Sequence, residues 1–118
     1  MKRIKAVVDT NVFISSLSSK SVYHKFIILL RNKQIDIFVT DEIMFEYEEK
    51  LKEKYNLIIA ENFISSFREL SNVHYVKVYF NWNLLNDEDD NKFADCYLAA
   101  NAELLITNDK GFNKLKEV

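Results

Sequence analysis

The chain has 118 residues, 48% of them hydrophobic and 29% charged with both signs mixed. That suggests one domain over residues 1–118 with apolar side chains enough for a core, and it excludes the composition of a disordered chain. A formal net charge of -2 argues against a passive nucleic-acid binder, which is usually basic, but not against an enzyme that holds phosphate through metal ions.

One Gly and no Pro exclude both a P-loop and a G-x-G-x-x-G fingerprint and leave the turns to Asn, Asp and Ser. No apolar run approaches the roughly 18 residues that span a bilayer, so no membrane partner is expected. The basic N-terminus leads into an apolar run that breaks at Asp9, too short for a signal peptide. The single Cys96 cannot form an internal disulfide, and the expected compartment is a reducing cytoplasm.

In chain order, "IKAVVD" (4–9) reads as a buried strand,. "TNVFISSLSS" turns and starts a short helix, and 21–34 reads as an apolar helix. "IDIFVT" (35–40) is a second strand. Thr40 is placed to cap a helix over 41–55, with Asp41 and Glu42 suiting its positive end,. A further amphipathic helix is expected over about 58–71, burying Ile58, Ile59, Phe63, Ile64, Phe67 and Leu70,. "HYVKVYF" (74–80) reads as a third strand, 91–102 as a helix, "ELLIT" (103–107) as a fourth strand, and the end of the chain as a short helix. Alternating strands and helices predict an α/β fold with a mostly parallel sheet.

Ligands of such sheets bind outside the carboxyl ends of the strands. Asp9 ends the first strand, Thr107, Asn108 and Asp109 follow the fourth, and the second leads into a helix carrying Glu42, Glu46, Glu48 and Glu49. The third leads into "NDEDDNKFADC", five acids in eleven residues. Gathered carboxylates repel one another. A hard divalent cation relieves that repulsion, and oxygen-only donors suit Mg²⁺ or Mn²⁺. Such ions support phosphodiester hydrolysis.

"VVDTNVFISSL", "TDEIMFEYEEKL" and "DEDDNKFADCYLAANAELLITNDKGF" together resemble PIN-domain ribonucleases, above all the toxin components of bacterial toxin–antitoxin pairs. The resemblance covers nearly the whole chain, and its last motif is the most specific. It implies a three-layer α/β/α sandwich around a mostly parallel sheet of about four to five strands. It implies four catalytic, metal-binding acids around Mg²⁺ or Mn²⁺, which fall on Asp9, Glu46, Asp90 and Asp109. Thr10, Asn11, Thr107 and Asn108 match the polar positions beside the first and last of these. An endoribonuclease that cuts RNA to leave a 5′ phosphate, a cognate antitoxin that blocks the site, and a homodimer are implied with it. Family members continue into another strand at the sheet edge. This chain stops at "NKLKEV", so that strand is expected to be missing or to belong to a longer chain.

Each residue has a plainer reading beside the functional one. Asp9 suits a helix N-cap, and Asp109 a turn before Gly111. The apolar stripe of the 41–55 helix is Ile43, Met44, Tyr47, Leu51 and Tyr55; Glu46 lies on its flank and Glu48 closer,. Only the resemblance selects Glu46, and its plain reading is a solvated partner of Lys50 at i+4. Asp87, Glu88 and Asp89 read as a charged helix start. Asp95, among Phe93, Ala94 and Cys96, is a further metal-ligand candidate, although roughly 140° of helix separates it from Asp90 unless Asp90 caps the helix. Lys20, Lys25, Arg31, Lys92 and Lys110 are RNA candidates by charge alone, and a solvated surface is the expectation for each. His24 and His74 are not near these motifs and read as ordinary surface or half-buried residues. Cys96 reads as a core thiol, and Trp82 as core or partner surface.

Two other classes compete. One is the same fold without turnover, an interaction module for an antitoxin or RNA. The other is a phosphatase with an Asp nucleophile, which wants a second Asp where Asn11 stands.

Overall fold

β1 (Ile4–Val8) is a short run of β-branched and small apolar residues. The computed structural model describes residues 3–78 and 88–107, without the side chains of residues 88–90. Ala6, Val7 and Val8 are all fully buried. Successive strand side chains point to opposite faces, so β1 is covered on both sides, as the central strand of a parallel sheet is.

β2 (Ile35–Val39), β3 (Val73–Tyr75) and β4 (Leu104–Ile106) complete a four-stranded sheet among the described residues. Its order is β3-β2-β1-β4, and every pairing is parallel. The register sets Ile4 beside Ile35, Ile37 beside Val73, and Val8 beside Ile106. Five helices connect or flank the strands among these residues: α1 (Thr10–Ser16), α2 (His24–Arg31), α3 (Asp41–Lys54), α4 (Leu57–Glu69) and α5 (Glu88–Ala99). The result is the α/β/α sandwich expected from the sequence.

An aromatic cluster ties α1, α3 and α4 together. Phe13 stacks on Tyr47 with ring centroids 4.1 Å apart, and Phe67 meets Phe13 edge-on at 5.1 Å. Offset and edge-on ring pairs of this kind add to simple area burial. Each of three helices starts on a polar side chain that accepts an otherwise orphaned backbone N–H: Asp9 from Val12, Thr40 from Ile43, and Asn56 from Ile59. The expected cap at Thr40 is therefore present.

Two helices end in a left-handed residue, and neither is glycine. After α2, Lys33 has φ 57°, and Gln34 N–H reaches back to the Leu29 carbonyl at 2.9 Å. After α5, Asn101 has φ 52°, and Ala102 N–H bonds the Tyr97 carbonyl at 3.1 Å. Both are Schellman closures, which glycine usually makes. Asn is the natural substitute, whereas Lys33 takes a conformation that disfavours a Cβ.

The structure corrects four expectations of detail. The third strand is Val73–Tyr75 and does not extend over 76–78; residues 79–80 of the expected 74–80 lie outside the described residues. The late helix runs over Glu88–Ala99, not 91–102, because the turn at Asn101 closes it early. α2 begins at His24 rather than at residue 21. In α4 the buried stripe is Ala60, Ile64 and Phe67, at i, i+4 and i+7; Ile58 is 70% exposed and Ile59 50% exposed. The broad apolar face read from the sequence thus includes residues of the first turn that rotate away from the core. The expected terminal helix and Trp82 lie outside the described residues.

Candidate functional site

The strand order creates the site. The chain winds outward from β1 to β2 and β3, then returns across β1 to β4. The direction of winding therefore reverses between β1 and β4, and a crevice opens at their carboxyl ends. Asp9 follows β1 there, and Thr107 follows β4.

Asp9 is 5% exposed. Its Oδ1 accepts from the Val12 N–H at 2.8 Å, and its Oδ2 accepts from the Thr107 hydroxyl. Its own N–H donates to the Ile106 carbonyl at 3.0 Å, extending the β1–β4 ladder by one residue. Asp9 is thus both the helix cap of the plain reading and a carboxylate held in the crevice. Being one does not exclude the other, because a carboxylate has about four lone-pair positions.

Glu46 reaches the same place from α3. Its Oε2 accepts from the hydroxyl of buried Thr10, the residue after Asp9, and its Oε1 lies 2.7 Å from the Lys92 ammonium. The pairing of Glu46 with Lys50 read from helix spacing does not occur: Lys50 pairs with Glu53 at 3.4 Å. Glu48, closer to the stripe on a helical wheel, faces Lys52 at 3.2 Å and Arg68 at 3.5 Å. Lys92, expected on a solvated surface, has a side chain only 10% exposed, with its ammonium 5.6 Å from the Phe93 ring centroid.

Beneath the two carboxylates lies Tyr47, fully buried, its hydroxyl donating to the Val8 carbonyl. Burial pushes its phenol well above the usual range, and its neighbours Cys96, Asp9 and Glu46 push it further. Asp9 and Glu46 therefore act on one buried point. The sequence placed Tyr47 in the buried stripe; its need for a partner at the hydroxyl was the available signal.

The other sequence-derived candidates are distributed as follows. Asn11 is exposed and lines a surface depression with Ser15, Lys50 and Glu53. Asp90 lies in the first turn of α5, inside the helix rather than at its cap. Asp95 is 4% exposed and lines a cavity with Thr40, Asp41, Glu42, Lys77 and Lys92. Asp87, Asn108, Asp109 and Lys110 lie outside the described residues. Neither histidine joins the site: His24 Nδ1 is 2.9 Å from the Ser16 carbonyl, and His74 Nε2 is 3.0 Å from Asp36. Cys96 is buried, its thiol 3.6 Å from the Phe38 carbonyl, and burial pushes it up to about 12. That is a core thiol, not a nucleophile.

Among the described residues no group of three or more His, Cys, Asp or Glu is preassembled around a metal position. The described acids of the crevice are a pair, Asp9 and Glu46, with the hydroxyls of Thr10 and Thr107 bonded to them. These are hard oxygen donors, the kind that Mg²⁺ and Mn²⁺ take, and a cation, the Lys92 ammonium, already stands against Glu46. The donor set fits a divalent cation.

Comparison with known proteins agrees with this fold. The sequence pattern of the family described as PIN domain matches residues 5–111. An uncharacterized protein of Methanocaldococcus jannaschii is 31% identical over 122 residues, covering 98% of this chain and 77% of that protein. The crystal structure of VapBC2 from Rickettsia felis, bound to a DNA fragment from their promoter, superposes with a TM-score of 0.67 at 15% identity. That match covers 98% of this chain and 93% of the other, and at such identity it is a likeness of fold. From the match over nearly its full length, the chain belongs to the PIN-domain family.

Proposed function

We propose that this protein is a metal-dependent ribonuclease that hydrolyses RNA phosphodiester bonds, acting as a toxin held in check by a cognate antitoxin. The convergence of Asp9 and Glu46 at the β1–β4 switch point carries the reading. Membership of a family that is generally one of nucleases supports it. The pairing in the name VapBC2, carried by a chain of the same fold, is the motive for seeking a protein partner.

Asp9, Glu46, Asp90 and Asp109 would hold Mg²⁺ or Mn²⁺, with Asp95 the further candidate from its buried place on α5. The ion, when bound, supplies charge to stabilise the phosphoryl transition state and to activate water. The chain's own task is to hold oxygens in place. Thr107 and the Val12 N–H fix the Asp9 carboxylate, and Thr10 fixes that of Glu46. Tyr47 anchors the end of β1 through the Val8 carbonyl, so the backbone that carries Asp9 is itself tethered. A bound cation would supply the positive charge that a phosphate needs, so the net charge of -2 is no obstacle to an RNA substrate.

A non-catalytic interaction module is the competing reading, in which the Lys92 ammonium stays on Glu46 and no metal is taken up. Purified protein incubated with single-stranded and structured RNAs, with Mn²⁺, Mg²⁺ or EDTA and beside an Asp9→Asn variant, separates the two. Cleavage that requires metal and disappears in Asp9→Asn is expected. Cleavage surviving both EDTA and the substitution would sink the reading.

A further inference from the structure

We propose that Lys92 is the internal counter-cation of the carboxylate site, and that a divalent cation binds by taking Glu46 from it. The inference rests on the metal-dependent reading above and gives Lys92 a positioning role within it.

Both oxygens of Glu46 are engaged: Oε2 by the Thr10 hydroxyl, and Oε1 by the Lys92 ammonium at 2.7 Å. Each oxygen keeps a free lone pair, so what opposes an incoming ion is the charge of a neighbouring donor rather than occupancy. Thr10 is a neutral residue fixed at the start of α1 and buried, and its hydroxyl can turn with little electrostatic consequence. Lys92 is a full positive charge, and its repulsion from a doubly charged ion is severe where water is scarce. At 10% exposure, it is a residue type almost never so buried unless paired. A charge-assisted bond of this length holds Glu46 firmly. The ammonium therefore offsets the charge of Glu46 before metal arrives and must withdraw when it does.

A place to withdraw to exists. Lys92 also lines the cavity that carries Asp95, Asp41 and Glu42. Lys92 and Asp95 stand three residues apart on α5, a spacing that puts side chains on one face,. A lysine's flexible four-carbon stem lets its ammonium move between neighbouring acids without moving the helix. On this account Lys92 exchanges Glu46 for Asp41 and Glu42 of the adjoining cavity, and the carboxylate charge available to the ion grows by the charge Lys92 removes.

The test measures Mn²⁺ binding by calorimetry and electron paramagnetic resonance on wild type, Lys92→Gln and Lys92→Arg, without any RNA. Lys92→Gln should bind Mn²⁺ about tenfold tighter, a change of the size typical for one interaction coupled to binding at another site. Lys92→Arg keeps the charge and should bind no tighter than wild type. In parallel, amine-reactive labelling of wild type is read at Lys92 by mass spectrometry. Labelling should rise when Mn²⁺ is added, and it decides the matter should Lys92→Gln fail to fold. Equal or weaker Mn²⁺ binding in Lys92→Gln, or labelling of Lys92 unchanged by Mn²⁺, would overturn the proposal while leaving the metal site standing. Absence of Mn²⁺ binding in all three proteins would overturn the metal reading and this proposal together.

Discussion

Asp9 carries two duties that a substitution can separate. Its Oδ1 caps α1 through Val12, and its Oδ2 is held by Thr107 in the crevice. Asn caps a helix as well as Asp does, whereas Ala gives up about 1 kcal/mol of cap. Asp9→Asn is therefore expected to melt close to wild type while metal-dependent cleavage falls at least about a hundredfold, and Asp9→Ala to lose both activity and stability. Circular dichroism melts beside the cleavage assay check this; an Asn variant that cleaves at the wild-type rate would remove Asp9 from the site. Tyr47 is a purer structural case. Phe at this position keeps the stacking on Phe13 but leaves the Val8 carbonyl without its donor. Such a loss costs about 1–3 kcal/mol in a buried site, measurable by denaturant titration. Asp9 was legible in the sequence because an apolar strand ended in a carboxylate. Lys92 was not, since its partner lies 46 positions away on another helix, and only packing of α5 against α3 makes the pair.

At the scale of elements, the helix starts were readable and the helix ends were less so. Thr40 stands before an acidic first turn and signals its own cap. The ends at Lys33 and Asn101 were hidden because the chain uses neither Gly nor Pro at those two positions. This yields a graded expectation. Lys33→Gly relieves a left-handed lysine, worth about 1–2 kcal/mol, against a backbone entropy loss of about 0.5–1 kcal/mol. The net should be a stabilisation of about 0.5–1 kcal/mol, and a smaller one for Asn101→Gly, because Asn tolerates that region. Equilibrium unfolding in urea measures both. The face of α4 supplies a second contrast. Ile64→Ala empties a core position and should cost about 2–5 kcal/mol. Ile58→Ala, in the exposed first turn, should fall within about 0.5 kcal/mol of wild type. Equal losses would restore the broad face that the sequence suggested. The period of 3.6 identified α4 correctly, but its first turn carries more apolar residues than the core receives.

At the scale of the whole molecule, alternating strands and helices announced an α/β sheet, while the order β3-β2-β1-β4 comes from long-range pairing that no local pattern encodes. That order brings Asp9 and Thr107 side by side above a buried core. The burial has a consequence at high pH. Burial raises Cys96 from its ordinary 9.0 to about 12, and raises Tyr47 well above its ordinary 10.0. In the unfolded chain both groups would lose their protons at those ordinary values, while the folded chain keeps them. Above pH 9.0 the unfolded state then binds fewer protons than the native one, and stability falls as pH rises. Below that pH both groups are neutral in either state and contribute no slope. The denaturation midpoint should therefore stay insensitive to these two groups at neutral pH and decline steadily between 9.0 and about 12. Tyr47→Phe removes the phenol and should flatten the upper part of that decline, on a lower baseline set by its lost hydrogen bond. The same burial predicts that Cys96 resists alkylation by iodoacetamide in the native protein at neutral pH and reacts only on unfolding. Native-state labelling as fast as that of a free thiol would mean that α5 opens away from β2, and with it that Lys92 leaves Glu46 without any help from a metal.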